Sequence, residues 1–105
     1  MTPNSQAKQL FQEYDGVRLP HLRPSTCTHR TIVHELEHLA ARSHEVVTME
    51  ELGSSLEGRS INLLRAGTGP KTVLLWSQMH GDEPTATLAL CDLIHYLILH
   101  GRERS

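Results

Sequence analysis

A chain of 105 residues builds at most one small domain, or part of a larger one. With 38% hydrophobic and 21% charged residues, wholesale disorder is excluded. Ten Lys plus Arg against twelve Asp plus Glu leave a net charge of −2, without the basic surplus of a nucleic-acid binder.

Residues 1–28 carry Pro3, Pro20 and Pro24 and little periodicity. They are expected to form a poorly ordered segment or a short helix over about Gln6–Tyr14. The stretch lacks a basic region followed by an apolar core, so no secretory signal is expected, and the cytoplasm is the default compartment. Ser25, Thr26 and Thr28 then offer N-cap hydroxyls for a helix over about 29–43. Along it Ile32, Leu36, Leu39 and Ser43 form one stripe, with Val33 and Ala40 beside it, while His34, Glu37, His38 and Ala41 take a more polar side.

"EVVTMEELG" (45–53) reads as a strand, "SSLEGR" as a loop through Gly58, and "SINLLRAG" (60–67) as a second strand ending at a Gly67–Pro70 turn. An antiparallel ribbon is the simplest arrangement of the two. "TVLLW" (72–76) is a continuous apolar run between turn residues, the pattern of a strand buried on both faces. Pro84 suits the first position of the next helix, where its missing N–H would have no partner. That helix, "TATLALCDLIHYLILHG", is apolar on most sides, so something must cover it. A second copy of the chain docking along it is one way. No apolar run is long enough to span a bilayer. Ribbon, buried strand and helix together predict an α/β protein.

Cys27 and Cys91 stand far apart, with no spacing for a zinc cluster and too few for a disulfide framework; free thiols are expected. The metal question lies instead with the eight histidines, since imidazole is the commonest metal ligand. "HELEH" (34–38) has the spacing by which one helix face presents His34 and His38 to zinc, with Glu35 as general base. Against this, the helix turns its apolar stripe elsewhere and the residue before the second histidine is the charged Glu37. A solvated face rich in His and Glu is the simpler reading. The second motif is His80-x-x-Glu83 in "WSQMHGDEPTA" (76–86). It falls between the expected buried strand and the next helix, at the sheet edge where α/β proteins usually bind ligands. An imidazole and a carboxylate are two of the three protein ligands of a catalytic zinc, and Gly81 lets the backbone turn between them. Alone, the motif also fits an ordinary strand-to-helix loop with Asp82 and Glu83 near a helix N-terminus.

Taken with "LGSSLEGRSINLL", the segment resembles the zinc carboxypeptidase family, the carboxypeptidase A-like metallopeptidases. Gly53, Ser55, Glu57, Gly58 and Arg59 match the family's Ser-x-Glu-Gly-Arg loop, and His80 and Glu83 match its zinc-ligand pair, over roughly residues 29–100. The resemblance implies the N-terminal part of a mixed α/β sheet flanked by helices, with residues 29–105 an incomplete portion of the catalytic domain. It implies Zn2+ as cofactor, a peptide or N-acyl amino acid as substrate, and release of C-terminal residues from peptides. The "HELEH" helix falls where the family has a surface helix remote from the metal. The family's third ligand, carboxylate-gripping Asn-Arg pair and glutamate base correspond to positions beyond 105. No catalytic residue is therefore assigned within the chain, and neither His95 nor His100 is promoted to third ligand. Alone, the chain is expected to bind zinc weakly and to hydrolyse nothing. Arg59 is expected to be structural, tying the loop to the sheet. Asp82 stands where many digestive members carry Arg, and resembles bacterial members and related N-acyl amino acid deacylases. A non-catalytic association module is the remaining alternative.

Overall fold

The computed structural model of the protein describes residues 3–78 and 84–101. In chain order it contains helix α1 (Pro3–Val17), a 3-10 turn (Pro24–Thr26), helix α2 (His29–Arg42), strands β1 (Val47–Ser54) and β2 (Ser60–Ala66), and helix α3 (Thr85–Gly101). The fold is mixed α/β: three helices packed around the start of an antiparallel ribbon.

Helix α2 begins where its caps dictate. Thr28 Oγ1 accepts the Thr31 N–H at 3.2 Å, and the Thr28 N–H donates to Thr31 Oγ1 at 2.8 Å. This reciprocal box satisfies two backbone groups that a helix start leaves unpaired, a contribution of about 1 kcal/mol. Helix α3 starts one residue later than expected. The Pro84 carbonyl accepts the Leu88 N–H at 3.0 Å, so the proline caps the helix instead of occupying its first turn. The N-terminal helix, expected over about nine residues, runs for fifteen.

Leu39 and Val47 are wholly buried, and with Leu19, Cys91 and Ile98 they form the core. Leu22, Ile32, Leu36, Val46, Leu64 and Ile94 pack around it. Apolar α3 is therefore covered along one side by α1 and α2, while Leu93 and Leu99 stay exposed. Asp92 fastens this packing. Its Oδ2 accepts the Tyr14 hydroxyl at 3.0 Å and its Oδ1 the Leu19 N–H at 2.8 Å, while the His95 ring donates from Nδ1 to the Val17 carbonyl. A carboxylate in an apolar helix is thus explained by the two donors it receives.

The ribbon pairs Val47 with Ala66 at the core end and Ser54 with Ser60 at the far end. Between Glu51 and Gly53 the register slips by one, so Leu52 is bulged out. Only Val47 of β1 is buried, and the far end projects into solvent. Five residues close it. Ser55 donates its N–H to the Arg59 carbonyl at 2.8 Å, and Gly58 donates to the Ser55 carbonyl at 3.0 Å. Gly58 has φ of 77°, a left-handed conformation that glycine adopts without steric cost.

The expected buried strand at 72–76 is not formed. The segment has no regular structure, and Val73, Leu74, Leu75 and Trp76 are 77%, 69%, 55% and 65% exposed. A strand apolar on both faces needs neighbours on both edges and layers above and below. The only ladder among the described residues joins β1 to β2, so these residues have none of those partners. The radius of gyration, 14.5 Å, exceeds the roughly 13 Å typical of a compact domain of this length.

Candidate metal centre

The His-x-x-Glu motif sits between Trp76 and α3, and the chain on either side of it is locked. Ser77 Oγ lies 2.7 Å from Thr87 Oγ1, and the Thr87 hydroxyl donates to Gln78 Oε1 at 2.8 Å. With Thr87 donating to Gln78, Ser77 is the donor to Thr87, so a hydroxyl relay joins the end of the apolar run to the first turn of α3. Gln78 has φ of 64°, a conformation non-glycine residues adopt only where surroundings enforce it, at a cost of order 1–3 kcal/mol. A pinned loop base with a strained residue next to it is a frequent setting for ligand-binding residues. His80 and Glu83 themselves lie outside the described residues, as does Asp82.

The matched ribbon loop is fully described. Arg59 Nη1 pairs with Glu57 Oε2 at 2.8 Å with both side chains well exposed. The Arg59 N–H also donates to Ser55 Oγ at 3.2 Å. The Arg59 side chain thus braces its own loop, where sequence reading expected it to reach the sheet. Exposed pairs of this kind contribute at most about 1 kcal/mol.

The competing "HELEH" motif is laid out in a way that does not suit a metal. His34 and His38 are exposed, but Glu35 is turned inward, 6% exposed, with its Oε2 2.8 Å from His21 Nε2. A zincin base has to face the metal-bound water, whereas this carboxylate fastens the α1–α2 linker to α2. Among the described residues no three His, Cys, Asp or Glu side chains are grouped so as to hold a metal ion. The solvated-face reading holds for His34, Glu37 and His38 and fails for Glu35. A sequence signal existed for that failure: Glu35 lies three residues after Ile32 and four before Leu39, on the apolar stripe. The hydroxyl relay had no such signal, because Ser77 and Gln78 in the loop are ten and nine residues from Thr87 in the first turn of α3.

His95 is bonded through Nδ1 to the Val17 carbonyl, and His100 lies 3.8 Å from Glu13 Oε2 with its ring 4.5 Å from that of Tyr96 and tilted by 38°. Both cysteines are free thiols, as expected. Burial, with the nearby charges of Glu35 and Asp92, pushes Cys91 up to about 12, and burial raises Cys27 as well. A thiol held protonated is a poor nucleophile and a poor ligand.

Comparison with curated proteins and with solved structures finds no match. A family model described as zinc carboxypeptidase matches residues 32–104, from the second turn of α2 to beyond the end of α3. The match spans the braced Ser55–Arg59 loop and the His80–Glu83 motif together, and leaves α1 and its linker outside. On that match, over well more than half its length, the chain belongs to the zinc carboxypeptidase family.

Proposed function

We propose that the chain carries two of the protein ligands of a metallocarboxypeptidase zinc centre, His80 and Glu83, and that the activity they serve is removal of C-terminal residues from peptides. The observation that carries this reading is the family match, which covers both motifs in order. The donor set supports it: an imidazole nitrogen and a carboxylate oxygen are the ligand types zinc takes in catalytic sites, with an open position for water. Zinc bound there would polarise the scissile carbonyl and lower the pKa of its water to about 7. The chain's own contribution is positional. The Ser77–Thr87–Gln78 relay holds the two ends of the ligand loop together, which lowers the entropy that ordering it around an ion would cost. Two protein ligands underhold the ion, so the chain alone binds zinc weakly and leaves peptides intact.

Chelator-competition titration tests the assignment. Glu83→Gln should weaken zinc binding at least tenfold, because it removes the only anionic ligand. An unchanged affinity would place the metal elsewhere.

Asp82, beside the ligand glutamate, keeps N-acyl amino acids in view as substrates, a deacylase reading with the same zinc pair. Association with a second copy is favoured by a different observation, the four consecutive exposed apolar side chains Val73–Trp76.

A further inference from the structure

The linker between α1 and α2 borders an open cleft of about 430 Å3 against the first two turns of α2. That volume is within the range of small-molecule pockets. Seven of its nine lining residues, His21 to Thr31, precede the segment matched by the family, so the family's chemistry does not account for it. The site is also separate in sequence from the His80–Glu83 loop.

The cleft has a divided character. Its inner wall holds the half-buried Leu22 and Cys27 and the buried carboxylate of Glu35, which is already engaged by His21 at 2.8 Å. Its rim holds Arg23 and Arg30, with His34 beside them, all exposed. Three other arginines, Arg18, Arg59 and Arg65, each lie within 4 Å of a carboxylate. Arg23 and Arg30 make no ion pair among the described residues, and both line this one cleft. Two uncommitted guanidiniums above an apolar wall, opposed by a single carboxylate that already has a partner, leave the cavity with a cationic rim.

We propose that this cleft binds a small organic anion with a carboxylate head and a short apolar tail. The guanidinium fork matches a carboxylate with two parallel hydrogen bonds, which a lone ammonium cannot do. The head sits between Arg23 and Arg30, and the tail lies on Leu22 and Cys27. The buried carboxylate of Glu35, held by His21, repels the head and sets the ligand's orientation.

The experiment is a titration of the isotope-labelled full chain, free of zinc, with sodium hexanoate at constant ionic strength, followed by two-dimensional amide NMR. Inorganic phosphate serves as the comparison probe, and the Arg23→Gln/Arg30→Gln double variant as the control. The expected result is saturable shifts confined to residues 21–35, a weaker response to phosphate, and at least a tenfold loss of hexanoate affinity in the double variant. Both arginines are exposed, so the variant's remaining spectrum should superimpose on the native one and show that the fold is intact. Non-saturating shifts, or equal affinity in the variant, would overturn the proposal. Equal response to phosphate and hexanoate would overturn the assignment of an apolar tail. The outcome does not depend on zinc, so it stands or falls separately from the metal centre.

Discussion

At the scale of single residues, Leu39 and Asp92 do the most for their size. Leu39 is wholly buried where α2, β1 and α3 meet, and truncation to Ala leaves a cavity in a core cluster of only five buried residues among those described. Such truncations cost about 2–5 kcal/mol, a large share of the 5–15 kcal/mol that holds a domain of ordinary stability. Leu39→Ala should therefore lower the urea midpoint sharply, whereas Leu56→Ala, at a fully exposed position, should leave it within error. Asp92 makes stability pH-dependent at the alkaline end. Its hydrogen bond to the Tyr14 hydroxyl, and then its charge, raise the Tyr14 pKa above the ordinary value of 10.0. A raised folded pKa means the neutral phenol is favoured by the fold. The stabilisation is complete below the unfolded pKa of about 10 and is lost as pH rises through the folded value. Ultraviolet titration should show Tyr14 ionising late in the native chain and at lower pH in Asp92→Asn, which removes the charge.

At the scale of elements, helices and ribbon were legible in the sequence, because each rests on local signals. Thr28 marks the start of α2, Gly58 the ribbon turn, and the alternation of "SINLLRAG" the second strand. The segment 72–76 shows where local reading stops. Its composition is that of a buried strand, yet a strand exists only through its neighbours, and none is supplied among the described residues. Unpaired, apolar and exposed, it is the segment on which we propose that a second copy docks. Sedimentation should detect concentration-dependent self-association of the native chain. Leu74→Lys/Trp76→Lys should remain monomeric over the same range with unchanged helical content; if it associates as the native chain does, the segment is not the contact. Glu35 is the opposite case, a polar residue whose position on the apolar stripe was a better guide than its charge.

At the scale of the whole molecule, α1 and the linker are fastened to α3 and α2 by Tyr14, Leu19 and His21. They thus cover one side of the helix that the sequence left in need of a cover. The family membership was legible because two motifs, Ser55–Arg59 and His80–Glu83, fall in the right order at the right separation. Neither motif reveals the third ligand or the general base, which belong to other parts of the family's pattern. We propose that zinc goes to the loop before α3 and not to the "HELEH" helix. Equilibrium dialysis against zinc, run in parallel on the native chain, His80→Ala and His38→Ala, decides between the two. Weak binding is expected, abolished by His80→Ala and left intact by His38→Ala. Binding that survives in His80→Ala and disappears in His38→Ala would put the metal on the helix instead.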